Sequence, residues 1–201
     1  MGTAEAVQTP GMPSRRKIFR MAAAGAAGLV GGMALSARVA HAEEASSAPR
    51  VAIGDRLVED DAEGPLTPLK VEDLTVGRPL LAFALNAETG KPRTESRLNK
   101  IVLLRLPEAE LDAESKALSA GGVLAFSAIC THQGCEIKTW MKSEKVFACF
   151  CHSSKFNPTK RGAVAGGPAP RSLPALPLRL EGDQLVVAGE FSSPPGSMLQ
   201  G

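Results

Sequence analysis

No tyrosine occurs in the 201 residues, tryptophan occurs once, and histidine only three times, at 41, 132 and 152. That scarcity excludes much chemistry. A serine nucleophile needs a histidine base beside it. His132 and His152 belong to metal-type motifs and His41 lies in an Ala-rich stretch near the N-terminus, so Ser127 and Ser153 have no spare base. A mononuclear iron held by two histidines and a carboxylate cannot be assembled either, for want of histidines. Internal repeats are absent. An excess of one charge is missing too. The formal net charge is +2, but residues 1–42 hold Arg15, Arg16, Lys17, Arg20 and Arg38 against Glu5, so the remainder carries about −2. Nothing in this balance points to the basic surface that a nucleic-acid binder needs, and no nucleic-acid partner is expected. The one Ala/Gly-rich apolar stretch, residues 21–37, is 17 long. That is short of the about 20 residues of a spanning helix, and Ala and Gly insert weakly.

What is present is concentrated in two runs, Cys130-Thr131-His132-Gln133-Gly134-Cys135 and Cys149-Phe150-Cys151-His152. They contain all four cysteines and two of the three histidines. As metal chemistry the pattern is Cys-x-His, sixteen residues, then Cys-x-x-His, with a second cysteine beside each half. Thiolates are soft, strong donors that hold iron–sulfur centres at low potential. Two neutral imidazoles in place of two thiolates remove negative charge and raise the potential, to roughly −150 to +300 mV against about −400 mV for an all-cysteine plant-type ferredoxin. A zinc site could also use two Cys and two His, but zinc motifs more often run Cys-x₂₋₄-Cys and then His-x₃₋₅-His. Zinc, or no metal at all, stays as the alternative to a 2Fe-2S centre.

On these two motifs the chain resembles the Rieske protein family. The resemblance covers roughly residues 69–190 and is strongest over 126–180. It implies an all-β Rieske fold, antiparallel strands with an inserted cluster-binding subdomain, and one 2Fe-2S cluster. It further implies that Cys130 and Cys149 ligate one iron, that His132 and His152 ligate the other at the protein tip, and that Cys135 and Cys151 form a disulfide between the cluster loops. Such a bond closes a loop of 16 positions, worth about 3 kcal/mol by chain entropy, and implies an oxidising compartment. Gly166-Gly167-Pro168-Ala169-Pro170 is similar to the family's proline loop, which covers the cluster from a third side. Gln133, Gly134, Ser154, Phe156, Gly167 and Pro168 thus become the residues expected to surround the ligands. In high-potential members a serine hydroxyl bonds a bridging sulfide and a tyrosine hydroxyl bonds a ligand sulfur. Ser154 stands at the serine position and Phe156 at the tyrosine position, which implies a potential between those of the oxygenase ferredoxins and of a relative with both hydroxyls.

The N-terminus gives an independent indication of compartment. Ser14-Arg15-Arg16-Lys17-Ile18-Phe19, the apolar stretch and Ala40-His41-Ala42 resemble a twin-arginine export signal with a small-residue cleavage site. That route carries proteins already folded around a cofactor, which places the chain in the periplasm. Cleavage after Ala42 is expected; retention of 21–37 as an anchor at the outer face of the inner membrane is the alternative. Residues 43–68 read as a tether, 69–190 as the domain, and 191–201 as a loose tail. Within the domain, strands are expected over 69–74, 80–85, 100–105, 123–129 and 145–149, a short helix over 107–118, and a closing hairpin from 176–180 and 184–188. Trp140 reads as a packed aromatic of the inter-motif loop.

Departures from the family bear on the partner. Cytochrome bc complexes usually have leucine where this chain has Gln133, proline at Phe150 and glycine at Ser153, so Gln133 points to a more polar docking surface. Residues 125–129 with Ser154 and Phe156 resemble the small subunit of arsenite oxidase-type molybdoenzymes. The resemblance therefore implies an electron carrier with no catalytic site of its own. It would relay between a molybdoenzyme large subunit and a cytochrome c-like acceptor or, as the alternative, serve as the Rieske subunit of a quinol–cytochrome c reductase beside a cytochrome b.

Overall fold

Short apolar runs between turn residues make strands, and the computed structural model, which describes residues 50–60 and 65–197, has eleven of them in that range. In chain order they are β1 (Arg56–Glu59), β2 (Pro79–Leu85), β3 (Ile101–Arg105), β4 (Val123–Ser127), β5 (Thr139–Met141), β6 (Val146–Cys149), β7 (Ser154–Asn157), β8 (Ala163–Gly166), β9 (Ala175–Leu176), β10 (Leu178–Glu181) and β11 (Gln184–Val187). One helix, α1 (Ala113–Leu118), lies between β3 and β4; the Asp112 carboxylate caps it by accepting from the Ser115 N–H at 2.7 Å. All strand pairs are antiparallel, so the all-β expectation holds. A seven-stranded sheet has the order β10-β11-β1-β2-β3-β4-β9 and a four-stranded sheet the order β5-β6-β7-β8. The chain leaves the large sheet at β4, builds the small sheet, and returns at β9 alongside β4, pairing Ala125 with Leu176.

The run Ile101-Val102-Leu103-Leu104 is apolar throughout because β3 is buried on both faces. Ile101 and Leu103 join Leu57, Leu74, Val123 and Leu185 in one core, while Val102 and Leu104 join Leu124, Phe126, Phe147 and Phe156 in a second. The second core glues the small sheet to the large one. Phe147 sits at its centre, edge-on to Phe126 at 6.0 Å and to Trp140 at 5.8 Å. Burying each such ring contributes about 1.5–3 kcal/mol.

Several expectations are corrected. The tether over 43–68 contains β1, which pairs with β2 and β11. Its short Leu57-Val58 pair is apolar enough to be buried but too brief to stand out among acidic neighbours. Residues 69–74 are no strand: Val71–Asp73 is a 3-10 turn, because the Asp73 carboxylate captures the Lys70 N–H at 2.7 Å. Leu69 and Leu74 still anchor this segment in the core. The expected helix over 107–118 divides into a 3-10 turn at Glu108–Glu110 and α1. The hairpin strand 176–180 is split by Pro177, which has no N–H for a ladder. Leu176 ends β9 at one edge of the large sheet and Leu178 starts β10 at the other. Two residues span no more than about 7 Å, so the sheet curls until its edges meet.

Part of the tail is docked as well. Arg171 donates to the Pro194 and Gly196 carbonyls at 2.7 and 2.6 Å and to the Ser193 hydroxyl at 2.9 Å, and the Ser192 hydroxyl accepts from the Ala175 N–H at 3.0 Å. The export signal and its anchor alternative, residues 1–42, lie outside the described residues, as do 43–49, 61–64 and 198–201. No helix among the described residues is long and apolar enough to cross a membrane.

Candidate metal centre

Three loops converge at the end of the small sheet. The first leaves β4 and closes on itself: the Cys130 N–H donates to the Cys135 carbonyl at 2.8 Å and the Gly134 N–H to the Cys130 carbonyl at 2.9 Å. Gly134 has φ +75°, which suits glycine. The second is the turn between β6 and β7, where Cys149 pairs with Ser154 and residues 150–153 protrude. Ser153 takes φ +59°, an unusual conformation for a residue with a side chain. The third follows β8. At Gly167, φ +80°, a Cβ would lie 2.4 Å from the Ser153 carbonyl oxygen and 2.5 Å from the Ser154 Cα. Only glycine lets this loop rest on the second. The Thr131 hydroxyl ties the first loop to the third by donating to the Arg171 carbonyl at 2.8 Å.

Cys135 and Cys151 form a disulfide across the first two loops. Cys130 and Cys149 remain free and buried. The sulfurs of Cys135, Cys149 and Cys151 lie within 4.8 Å of one another, but two of them are already joined and cannot serve as thiolates. The donors that remain are Cys130, Cys149, His132 and His152. The two imidazoles face each other with centroids 4.7 Å apart and ring planes at 85°. His132 Nδ1 is buried without a hydrogen-bond partner. Burial pushes the Cys130 thiol above its ordinary pKa, the His132 backbone N–H opposes this, and the neighbouring Cys149 thiol adds to it. A coordinating thiol is deprotonated outright, so Cys130 and Cys149 would have to lose their protons to hold a metal.

Ser154 is fully buried, and its hydroxyl lies beside the Cys130 sulfur without completing a hydrogen bond. Phe156 is fully buried in the core that also holds Cys130 and Cys149. Gln133, Gly167 and Pro168 are exposed around the loops, while Gly134 is buried. Two free thiols, two facing imidazoles, an orphaned imidazole nitrogen and an orphaned hydroxyl fit a 2Fe-2S group with two cysteine and two histidine ligands. The sequence did not single out Thr131, Arg171 or Ser153 as parts of this assembly. Thr131 lies inside the first motif, and Ser153 stood out only as a non-glycine where the family usually has glycine.

The sequence model of the Rieske [2Fe-2S] domain matches residues 83–177. A Rieske subunit provisionally assigned to the respiratory nitrate reductase of Haloferax mediterranei is 35% identical over 108 residues, covering 53% of this chain and 48% of that one. The cytochrome bc1 complex Rieske iron-sulfur subunit of Streptomyces lividans is 30% identical over 133 residues, covering 64% of this chain and 78% of that one. The match thus spans about half the length of the first relative and more than two thirds of the second. Among solved structures, a chain of a hyperthermophilic respiratory Complex III is 31% identical, with 58% of this chain and 70% of that one covered and a TM-score of 0.39.

Proposed function

Because the chain belongs to the Rieske [2Fe-2S] family, and is thereby an iron–sulfur electron-transfer protein, we propose that it is the one-electron relay subunit of an exported, multi-subunit oxidoreductase. The observation that carries this reading is the pair of facing imidazoles, His132 and His152, next to the buried free thiols of Cys130 and Cys149. In this reading Cys130 and Cys149 would hold one iron and His132 and His152 the other. The group supplies a single reversible electron at a potential raised by its neutral ligands. The chain's own residues do the rest. The disulfide and the Thr131–Arg171 contact fix the loops, the second core excludes water from the cysteine side, and His152 stands exposed where a partner can approach.

The favoured assembly is a periplasmic one of the arsenite oxidase small-subunit kind, reached by the twin-arginine route, with a molybdoenzyme large subunit as donor and a cytochrome c-like acceptor. Phe156 in place of a tyrosine supports it, as does similarity to a relative assigned to a respiratory nitrate reductase. A second reading has equal support from the Streptomyces relative: the Rieske subunit of a quinol–cytochrome c reductase, beside a cytochrome b and anchored by residues 21–37. Affinity purification of the natively expressed, tagged chain from separate periplasmic and membrane fractions, followed by mass spectrometry, tests both. A large molybdenum-cofactor subunit in the soluble fraction establishes the first; a cytochrome b in the membrane fraction replaces it with the second. Purified protein with zinc and no 2Fe-2S optical or EPR signature would overturn both.

A further inference from the structure

The disulfide is one state of two cysteines, and it persists only in an oxidising compartment. With the bond open, Cys135 and Cys151 become thiols beside the free thiol of Cys149. The three sulfurs lie within 4.8 Å of one another. A tetrahedral zinc ion, with Zn–S bonds of about 2.3 Å, sets its thiolates about 3.8 Å apart. The two bonded sulfurs must separate and the third must draw in, and side-chain rotation suffices for both.

Contacts that involve no sulfur hold the loops without the bond. The Cys130 N–H donates to the Cys135 carbonyl at 2.8 Å, Cys149 pairs with Ser154 between β6 and β7, and Gly167 rests the third loop on Ser153. Access suits an incoming ion: Cys151 is exposed, Cys135 half-buried and Cys149 buried. An ion therefore enters at Cys151 and ends against Cys149. Residues 130–135 and 149–154 include no Lys or Arg to repel it. Thiolates are soft ligands that favour zinc-class ions over hard cations such as Mg(II) and Ca(II).

We propose that the chain with its disulfide open holds one thiophilic divalent cation of the zinc class through Cys135, Cys149 and Cys151, with water in the fourth position. This donor set differs from the two cysteines and two histidines of the candidate centre. Two electrons from a dithiol open the S–S bond, which gives two thiols while the dithiol closes to its own disulfide. The ion then binds three thiolates and displaces three protons. Cys149 belongs to both donor sets, so this ion and a 2Fe-2S group held by Cys149 exclude each other. Closure of the Cys135–Cys151 bond, by exchange with a second disulfide, takes away two of the three donors and releases the ion.

The test uses the full cluster-free chain carrying His132→Ala and His152→Ala, which keeps the three cysteines and removes the site of two cysteines and two histidines. Co(II) stands in for zinc, because its charge-transfer and d–d bands report how many sulfurs bind it. After reduction by a water-soluble phosphine, removed under anaerobic conditions, the chain should bind about one Co(II) with the bands of a thiolate-rich tetrahedral site, and zinc should displace it. The unreduced chain should bind at least about 10–100-fold more weakly, since loss of an outer-shell partner alone costs that much. Adding Cys130→Ser should leave the reduced spectrum unchanged. Adding Cys135→Ser or Cys151→Ser should remove much of the thiolate intensity and weaken binding by about the same factor. Circular dichroism follows the strands in every sample. No binding after reduction, or equal binding before and after it, overturns the proposal. So does loss of binding in the Cys130→Ser chain. Binding by a reduced chain without a strand signal overturns it too, because loose cysteines rather than the assembled loops would then hold the ion. None of these outcomes touches the relay reading, which rests on His132 and His152 beside Cys130 and Cys149.

Discussion

Replacing Phe156 by tyrosine adds one hydroxyl where the family's high-potential members have it. Phe156 is fully buried, pairs with Phe147 across the small sheet, and shares its core with Cys130 and Cys149. The added O–H has two possible fates. If it donates to a ligand sulfur, the bond strengthens as the centre gains negative charge on reduction. Such a charge-dependent bond is worth about 1–2 kcal/mol, and at 59 mV per tenfold change in a one-electron equilibrium the potential rises by roughly 40–80 mV. If it finds no acceptor, it is a buried orphan that costs about 1–3 kcal/mol of stability. The cluster-free chain offers only the neutral thiols of Cys130 and Cys149, which are weak acceptors, and should therefore be destabilised by up to that amount, while the loaded chain should lose less. Protein-film voltammetry reads the potential, and denaturant unfolding with and without the cluster reads the stability. A variant that keeps its cluster and shows an unchanged or lowered potential would refute the reasoning, because Phe156 would then not stand where its hydroxyl can reach the ligands.

Four further outcomes are expected. Ser154→Ala removes a hydroxyl that completes no hydrogen bond within the protein, so unfolding of the cluster-free chain should shift by less than about 0.5 kcal/mol, while the potential of the loaded chain should fall by roughly 40–80 mV. The double substitution Cys135→Ser with Cys151→Ser should lower stability by about 3 kcal/mol, measured by denaturant unfolding, and shorten the lifetime of the cluster absorbance. Gly167→Ala forces a Cβ onto the Ser153 carbonyl and should destabilise by about 1–3 kcal/mol, with faster cluster loss. Ser153→Gly relieves the left-handed backbone at φ +59° and should stabilise by up to about 1 kcal/mol in thermal unfolding; a loss of stability would mean that the Ser153 side chain holds something in place.

The two motifs were legible because metal chemistry needs particular atoms at short spacing, and a Cys-x-His with a distant Cys-x-x-His leaves few alternatives. The strand 100–105 was legible because four consecutive apolar residues mark burial on both faces. The small sheet was harder to read. β7, Ser154-Lys155-Phe156-Asn157, alternates polar and apolar over only four residues, and β8 is nearly all alanine and glycine, with no period to detect. β1 was missed for a related reason: two apolar residues among acidic neighbours gain their place from β2 and β11, partners distant in sequence. The Lys70–Asp73 contact that turns 69–74 away from a strand is a local side-chain competition that an apolar count cannot see.

The same distinction separates the ligands from what holds them. Cys130, His132, Cys149 and His152 could be named from residue type alone. Their positions depend largely on backbone groups. The Cys130 N–H bonds the Cys135 carbonyl, the Arg171 carbonyl accepts from Thr131, and the missing Cβ of Gly167 lets the third loop approach the second. Backbone groups leave no compositional trace, so the sequence could name the donor atoms but could not show what positions them. Arg171 joins both levels. Its carbonyl fixes the first loop, while its guanidinium binds residues 193–196 of the tail. Loosening that tail therefore acts on the candidate metal centre through one residue. Arg171→Ala should shorten the lifetime of the cluster absorbance without altering any ligand, and an unchanged lifetime would show that the Thr131 contact holds without the tail.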